Sequence, residues 1–269
     1  MIRLAVSGAA GRMGKTILSL AARDKKTFKI TGALESPKSE LLGEDLSRLL
    51  GIAEPLGVAI SSNIEDVLSE SDVLIDFTHF SATPIFLAAA VKTGTNHVIG
   101  TTGLDDKLKA LIAKASKKIA IVQSPNMSVG VNLLFKLTEM TAGILDESYD
   151  LEISETHHRM KKDSPSGTAV GLLEAAARAR KKDLKKDVVY GREGEVGARP
   201  RGELGVMALR GGDVIGDHTV YFFGDGERIE LSHRASSREA FAGGALHAAK
   251  FLAKKKSGLF NMQQVLGLI

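Results

Sequence analysis

The side chains best suited to chemistry in this sequence lie close together between Glu152 and Thr168. Adjacent histidines, His157 and His158, are followed by Lys161 and then by a Ser-Pro-Ser-Gly-Thr sequence. An imidazole titrates near neutral pH and can donate a proton, whereas a lysine and the amides of a helix N-terminus bind anions. This combination indicates a pocket for a small molecule with carboxylates, with a proton donor beside them.

The same stretch has two other interpretations. A basic run between a strand and a helix is often a solvated loop, and the residue types alone leave that interpretation open. The second interpretation is a zinc site. Paired histidines with no cysteine in the chain and no HExxH spacing are poor zinc ligands, so we expect no metal here.

A strand and a helix would position these groups. Apolar and polar residues alternate from Leu151 to Ser154, which is the period of a half-buried strand leading into the histidines. The Ala- and Leu-rich run that follows, to about Arg180, predicts a helix. Ser164 or Ser166 is suited to its N-cap, and Pro165 to its first turn. The amides near the Gly-Thr pair would then point out of a helix N-terminus.

The start of the chain has the pattern of a dinucleotide-binding fold. Ile2–Ser7 is nearly all apolar, as in a parallel strand covered on both faces. Gly8, Gly11 and Gly14 follow it and precede a helix predicted over Lys15–Ala22. This spacing is a variant of the fingerprint that brings backbone close to a pyrophosphate.

Apolar runs and helical stretches continue to alternate along the first half of the chain, which predicts a doubly wound parallel sheet. Polar residues stand at three later strand ends: Thr78, Gly100–Thr102 and Ser124–Asn126. Open sheets of this kind bind ligands at the carboxyl ends of their strands. We therefore expect these residues to form the rim of a cofactor cleft.

Glu35 bears on the choice of cofactor. It ends the strand predicted over Phe28–Leu34, where a carboxylate normally accepts hydrogen bonds from the ribose hydroxyls of NAD. Ser36 and Lys38 stand beside it, and Arg12 is within plausible reach, so a 2′-phosphate could also be accommodated. NADH and NADPH both remain open as cofactors.

The second half of the chain predicts a different kind of sheet. Strands over Leu204–Leu209, Asp217–Phe223 and Arg228–Ser232 are separated by glycine-rich turns typical of antiparallel hairpins. We expect a mixed or antiparallel sheet in an α+β domain, used in oligomerisation because open sheets often pair with copies of themselves. The overall class is α/β.

The predicted boundaries define two domains. Residues 1–128 form the dinucleotide-binding domain, and residues 129–238 form the substrate-binding and oligomerisation domain. A helix over Glu239–Ala253 and a short tail are predicted to return to the first domain, so that residues 239–269 complete it.

Composition restricts the function further. The chain has 269 residues, a net charge of +4 and no cysteine, which excludes disulfides and thiolate chemistry. An anionic substrate with a phosphate-bearing cofactor explains the mild positive charge as well as nucleic acid does, and aromatic residues are scarce. There is no apolar segment of membrane length and no signal peptide, so we expect a cytoplasmic protein that binds neither nucleic acid nor membrane.

Seven motifs, in order and over nearly the whole chain, resemble the dihydrodipicolinate reductase family, also called 4-hydroxy-tetrahydrodipicolinate reductase. They are VSGAAGRMG, IDFT, VIGTTG, SPNMSVGVN, ETHHRMKKDSPSGTA, GDVIGDHTVYF and HRASSREAFAGGA. The resemblance implies NAD(P)H-dependent reduction of a small dicarboxylate, 4-hydroxy-tetrahydrodipicolinate, to tetrahydrodipicolinate in diaminopimelate and lysine biosynthesis. It also implies a homotetramer.

The resemblance assigns roles to residues as well. His157 would be the general acid and Lys161 its partner acid, and His158, Gly167 and Thr168 would hold the substrate carboxylates. Cofactor contacts are implied for Gly8, Ala9, Ala10, Gly11, Arg12, Met13, Glu35, Gly100, Thr101, Thr102, Ser124, Pro125, Asn126 and Met127.

Three positions depart from the family pattern. The family usually has alanine where Ser164 stands, and many members have arginine where this chain has Ser36 and His79. The first change is mild. The other two remove arginines that would favour NADPH, so they bear on cofactor preference and not on activity.

Two alternatives come from other functional classes. Another nicotinamide-dependent dehydrogenase, such as aspartate or homoserine dehydrogenase, shares the first domain but lacks the His-His-x-x-Lys and Ser-Gly-Thr constellation. A panel of substrates separates it from a reductase of this family. A dinucleotide-sensing regulator would show salt-dependent retention of DNA or RNA and no turnover.

Overall fold

The computed structural model describes all 269 residues, and they form two compact units. The first unit comprises Met1–Val129, Arg238–Gly267 and Ile269, and the second comprises Gly130–Ser237 and Leu268. None of the helices combines the length and apolar composition that a membrane crossing requires.

The chain contains twelve strands and nine helices. The strands are β1 (Ile2–Ser7), β2 (Phe28–Leu34), β3 (Ile60–Ser61), β4 (Val73–Asp76), β5 (Asn96–Ile99), β6 (Ala120–Gln123), β7 (Asp150–His157), β8 (Val188–Tyr190), β9 (Leu204–Arg210), β10 (Gly216–Gly224), β11 (Glu227–Ala235) and β12 (Gly258–Phe260). The helices are α1 (Arg12–Arg23), α2 (Leu46–Leu50), α3 (Ile64–Ser69), α4 (Thr83–Thr93), α5 (Asp106–Ala115), α6 (Val129–Ile144), α7 (Gly167–Arg180), α8 (Glu239–Leu252) and α9 (Met262–Val265).

The first unit is built on a seven-stranded sheet with the order β12-β6-β5-β4-β1-β2-β3. All its strand pairs are parallel, so the predicted doubly wound parallel sheet is confirmed. Every residue of β4 is buried, because helices cover both faces of the sheet. The strand order reverses at β1, which lies between β2 and β4. A dinucleotide binds outside the carboxyl ends of the strands at such a point.

Helix α1 fixes the geometry of the loop that precedes it. Its buried residues include Gly14, Ile17, Leu18 and Ala21, at the spacing of three and four that places them on one face. The helix begins at Arg12, three residues before the predicted start. The glycine loop is therefore shorter than the sequence pattern indicated, and it passes directly from β1 into the helix.

The second unit contains a mixed five-stranded sheet with the order β11-β10-β7-β9-β8, which confirms the predicted mixed sheet. β10 is antiparallel to β11 and to β7, whereas β9 is parallel to β7 and to β8. The turn at Gly224–Gly226 closes the predicted hairpin between β10 and β11.

The second predicted hairpin, between β9 and β10, is wrong. β7 lies between these two strands, so the glycine-rich segment after β9 crosses the end of β7. The amide of Gly211 donates to the carbonyl of His157 at 2.9 Å, and the amide of His158 donates to the carbonyl of Val214 at 2.7 Å. Glycines signal a turn here but do not specify which strand lies on the far side.

The core of the second unit places the histidine stretch. Residues of β7 alternate strictly between partly exposed and buried, and Leu151 and Ile153 pack with Phe222 of β10 and Leu172 of α7. Each such buried side chain stabilises the fold by about 2 kcal/mol. Because the strand period is two, Glu155 and His157 continue on the same face, and β7 delivers two titratable groups to the edge of an apolar core.

Helix α7 begins beside these groups. Ser166 is its N-cap, and its hydroxyl accepts a hydrogen bond from the amide of Ala169 at 3.2 Å. Pro165 therefore precedes the cap and does not lie in the first helical turn as predicted. Gly167 and Thr168 are the first two helical residues.

Candidate active site

The loop between β1 and α1 has the geometry of a phosphate cradle. Gly8 adopts a φ of +65°, in the left-handed region that favours glycine. A Cβ on Gly14 would clash with the carbonyl oxygen of Gly8, so the helix packs directly against the loop. Gly11 is the N-cap of α1, and no side chain caps that end. The start of α1 is therefore suited to an anion that accepts backbone hydrogen bonds.

Glu35 lies beside this loop. Its Oε1 accepts a hydrogen bond from the amide of Ala10 at 2.7 Å, and its Oε2 accepts one from the amide of Ser36 at 3.1 Å. A carboxylate at the end of the second strand, next to the glycine loop, is placed to bind ribose hydroxyls.

Seven of the residues predicted to contact the cofactor line one cavity of 280 Å³ at the carboxyl edge of the sheet. These seven are Met13, Gly100, Thr101, Thr102, Pro125, Asn126 and Met127. Ser124 lies next to this wall, and its hydroxyl donates to the carbonyl of Asn126 at 3.0 Å. The other predicted residues, Gly8 to Arg12 and Glu35, form the loop region described above and do not line the cavity.

Three further residues, Phe77, Thr78 and Phe241, complete the cavity wall. Thr78 was expected at the rim of the cleft, whereas Phe77 and Phe241 were not predicted. A Cβ on Gly100 would clash with the Phe77 ring, so the glycine of the VIGTTG motif makes room for it. Phe241 belongs to α8, far along the chain. The Gly-Gly pair in α8 was a sequence signal that this helix packs closely against another part of the chain. A Cβ on Gly244 would clash with the carbonyl oxygen of Met127.

A buried carboxylate holds the wall in place. Asp76, at the end of β4, is fully buried and accepts hydrogen bonds from the hydroxyls of Ser7 and Thr83 at 3.1 Å and 3.0 Å. It also accepts from the amide and the hydroxyl of Thr78 at 2.9 Å and 2.6 Å. The ends of β1 and β4 are thereby joined. Together with the glycine loop and Glu35, the cavity fits a nicotinamide dinucleotide.

In the second unit, His157 is the last residue of β7 and is 8% exposed. Its Nδ1 lies 2.5 Å from Oε2 of Glu155. Burial lowers the pKa of His157, and the hydrogen bond and charge of Glu155 oppose this effect without cancelling it. The imidazole is therefore mostly neutral at pH 7, and negative charge brought into the pocket would favour its protonation.

Glu155 is fully buried, and the sequence analysis did not identify it as a site residue. Arg210 forms two hydrogen bonds with it, to Oε2 at 2.8 Å and to Oε1 at 2.9 Å, and the amide of Ser166 donates to Oε1 at 2.9 Å. Burial alone would raise the pKa of Glu155. The hydrogen bonds from Arg210, His157 and Ser166 outweigh burial and hold the pKa below its usual value. Glu155 is thus an ionised carboxylate in the core.

The remaining predicted residues lie near the carboxyl end of β7. Lys161 places its Nζ 2.9 Å from Oδ2 of Asp163, and its amide donates to the carbonyl of His158 at 3.1 Å in a tight turn. Gly167 follows Ser166, which Glu155 binds, and a Cβ on Gly167 would meet no heavy atom within 4 Å. The space in front of the first turn of α7 is therefore open. The structure brings His157, His158, Lys161, Gly167 and Thr168 into one region.

His218 of β10 is a second histidine in this region that sequence reasoning missed. It is 3% exposed, its Nε2 lies 3.0 Å from the Ser166 hydroxyl, and its ring meets that of His157 edge-on at 5.1 Å. Burial, followed by the charge of His157, lowers the pKa of His218 to about 3. His218 is therefore neutral near pH 7.

This neutral histidine predicts a pH dependence of stability. The unfolded chain protonates His218 near its ordinary pKa of about 6.5, whereas the folded protein does not, so the free energy of unfolding should fall as pH falls below that value. The contribution approaches about 1.4 kcal/mol per pH unit. Urea unfolding between pH 7 and pH 5 should show a shallower loss in His218→Gln than in the native protein. The exposed-site control His247→Gln should keep the native slope, and equal slopes in all three proteins would contradict the assignment.

Solved structures of other proteins share this fold. A dihydrodipicolinate reductase from Paenisporosarcina sp. TG-14, with dipicolinate bound, matches with a TM-score of 0.77 at 22% identity and covers 98% of both chains. A diaminopimelate (DAP) dehydrogenase from C. glutamicum matches with a TM-score of 0.55 at 14% identity, over 97% of this chain and 92% of the other. At these identities the likeness concerns the fold.

Sequence relatives are much closer. The chain is 51% identical over 268 residues to 4-hydroxy-tetrahydrodipicolinate reductase of Nitrosomonas eutropha, covering 100% of this chain and 99% of the relative. It is 49% identical to the enzyme of the same name from Cupriavidus necator, over 99% and 100% of the two chains. The models of the N-terminal and C-terminal parts of dihydrodipicolinate reductase match residues 2–127 and 130–266. The resemblance is confirmed, and the chain belongs to the dihydrodipicolinate reductase family, a family of oxidoreductases that use a nicotinamide dinucleotide.

Proposed function

We propose that this chain reduces 4-hydroxy-tetrahydrodipicolinate to tetrahydrodipicolinate in diaminopimelate and lysine biosynthesis, with His157 as general acid. The observation that supports this most strongly is the buried His157–Glu155 contact at the carboxyl end of β7, beside Lys161 and the start of α7. A proton donor next to groups that bind anions is what protonation of a small dicarboxylate requires.

The substrate carboxylates bind to the loop after β7 and to the first turn of α7. Lys161 supplies positive charge on the loop, and His158 supplies a hydrogen-bond donor. Gly167 and Thr168 supply the helix start, where backbone amides and the helix dipole favour an anion. A side chain at position 167 would fill the open space in front of the helix. Glycine at this position keeps room for a carboxylate.

The proton moves from His157. Loss of water from the 4-hydroxy ring first leaves a conjugated imine. A reduced nicotinamide, when bound, would supply the hydride for C4 of this imine, and the electron pair of the double bond moves to the adjoining carbon. The carbon next to C4 then takes up the proton from the imidazole, through Nε2, because Nδ1 faces Glu155. The substrate carboxylates add negative charge near His157 and raise its pKa, which opposes the effect of burial. Lys161 offsets the charge of one carboxylate.

The two units divide the work. Residues 1–128 with 239–269 bind the dinucleotide through Gly8 to Met13, Glu35, Gly100 to Thr102 and Ser124 to Met127. Residues 129–238 bind the substrate and form the oligomer, which we propose to be a cytoplasmic homotetramer. Leu209 and Phe223 support association through the second sheet. Both side chains are exposed on the same face of that sheet, as expected of a surface that another copy covers.

Glu35 next to Ser36 favours NADH. An arginine at position 36 would place a cation where a 2′-phosphate lies, and a hydrogen bond to a charged group contributes about 1.5 to 3 kcal/mol. Ser36→Arg should therefore raise the ratio of kcat/KM for NADPH to that for NADH by about tenfold or more. Lys38→Arg, which adds no charge in the same loop, is the control. An unchanged ratio in Ser36→Arg would contradict the placement of the adenosine ribose beside Glu35.

Steady-state oxidation of the cofactor at 340 nm tests the proposed reaction. The substrate is generated in place from pyruvate and aspartate semialdehyde by the preceding synthase, and aspartate semialdehyde and homoserine are offered separately. Turnover only in the presence of the synthase product supports the proposal. A folded protein that turns over one of the other substrates, or none with either cofactor, would contradict it.

A further inference from the structure

Glu155 has more partners than a salt bridge requires. Its two oxygens accept hydrogen bonds from Nδ1 of His157, from both terminal nitrogens of Arg210 and from the amide of Ser166. It has no exposed surface, so it cannot touch a substrate directly. Ionising a carboxylate in an apolar core is costly unless it is paired and hydrogen-bonded. In this chain the buried, ionised carboxylate is the one that is hydrogen-bonded to the imidazole of His157.

The contact with Glu155 determines which nitrogen of His157 is available for chemistry. An ionised carboxylate only accepts hydrogen bonds, so the 2.5 Å contact requires a proton on Nδ1. Nε2 is left for exchange with a ligand. A Cβ on Gly216 would lie 3.0 Å from Nε2, so glycine at that position keeps the approach to this nitrogen open.

Arg210 lowers the basicity of Glu155. The parallel register of β7 and β9 places Arg210 opposite His157, and the Arg210 guanidinium binds both oxygens of Glu155. Bidentate pairing makes the carboxylate a weaker base. The proton that His157 takes up therefore stays on the imidazole, from which it can be donated, and does not pass to Glu155.

We propose that Glu155 and Arg210 form a positioning pair, in which Glu155 fixes the ring and tautomer of His157 and stabilises its protonated form, while Arg210 holds the Glu155 carboxylate in place and ionised. This inference rests on the proposed function only in taking His157 as the proton donor. Four charged or titratable groups face His157 from the surrounding elements, and together they set its response to pH. They are Glu155 on β7, Lys161 on the following loop, Arg210 on β9 and His218 on β10. Asp163 acts on this set through its contact with Lys161.

The test is an NMR titration of His157 combined with a pH profile of kcat. The chain has seven histidines, and labelling their ring nitrogens reports tautomer and protonation without any need for turnover. Loss of a nearby negative charge should move the titration of His157 to lower pH by about one unit or more in Glu155→Gln. The native protein should show a protonated Nδ1. As the acid must be protonated to act, kcat should decline at correspondingly lower pH in this variant.

Two further variants sharpen the test. Glu152→Gln is the matched control. Glu152 also lies on β7 and is paired with two arginines, Arg192 and Arg199, but its carboxylate faces away from His157. In Glu152→Gln, the titration of His157 and the pH profile of kcat should match those of the native protein. Arg210→Gln removes a positive charge, so it should move the His157 titration and the pH profile of kcat in the direction opposite to Glu155→Gln. This second variant keeps the test valid if Glu155→Gln folds poorly.

The outcomes separate the inference from the proposed function. Opposite displacements in the two variants, in the titration and in kcat, support the positioning pair. An unchanged tautomer and titration of His157 in Glu155→Gln and Arg210→Gln overturns it. A changed titration with an unmoved kcat profile also overturns it. If the native protein shows no turnover at all, the proposed function fails, whatever the titration shows.

Discussion

Replacing His157 with glutamine is expected to lower kcat by about 10²- to 10⁴-fold, the usual effect of removing a general acid. Glutamine has similar reach and can still donate a hydrogen bond to Glu155, so the buried carboxylate keeps a partner and the fold should persist. It cannot transfer a proton. The KM for the cofactor should change little, because the glycine loop and the cavity of the first unit contain no part of this residue.

Single-turnover and steady-state kinetics at saturating substrate measure this effect. His247→Gln, which replaces an exposed histidine on α8, is the control and should keep native kcat. Far-UV circular dichroism and the Tm of both variants establish that they are folded. Near-native kcat in His157→Gln would remove this residue from the proton transfer.

Replacing Lys161 with alanine is expected to lower kcat in the same range, about 10²- to 10⁴-fold, because this cation is placed to offset the charge that develops in the pocket in the transition state. The lysine contacts Asp163, whose side chain is 62% exposed. Because the Asp163 carboxylate is largely in solvent, this ion pair contributes about 0 to 1 kcal/mol to stability, so the loss of activity should not come from unfolding.

Lys162→Ala is the matched control, since it removes an adjacent, exposed lysine. Its kcat and its KM for the substrate should stay near the native values. The Kd of dipicolinate, measured by calorimetry, separates binding from chemistry. If Lys161→Ala weakened dipicolinate binding but left kcat unchanged, Lys161 would be a binding residue without the catalytic role given to it here.

Local features of the sequence were sufficient for much of the first unit. The strand β1, the glycine loop and α1 follow one another within a short segment, and their apolar periods and glycines are read without knowing the rest of the fold. The rim residues Gly100 to Thr102 and Ser124 to Met127 were predictable for a related reason. Parallel strands bring all their carboxyl ends to one edge, so a polar strand end is automatically near the others.

The partners of His157 could not be predicted in this way. Arg210 reaches Glu155 because β9 lies beside β7 in parallel register, and His218 reaches His157 because β10 lies on the other side. Strand order is a property of the whole sheet, and the glycine turn after β9 favoured a hairpin that does not form. An arginine at the end of one strand and a histidine within another have no pattern that links them to a site.

The most direct test of the proposed reaction is the position of the label in the product. With 4-deuterated reduced nicotinamide in ordinary water, the native protein should form tetrahydrodipicolinate with one deuterium at C4, as NMR of the product would show. With unlabelled cofactor in D₂O, the deuterium should be on the adjoining carbon, and His157→Gln should form the product at least about 10² times more slowly. Cofactor-derived deuterium at any other position, or no reduced product from the folded native protein, would contradict the proposal.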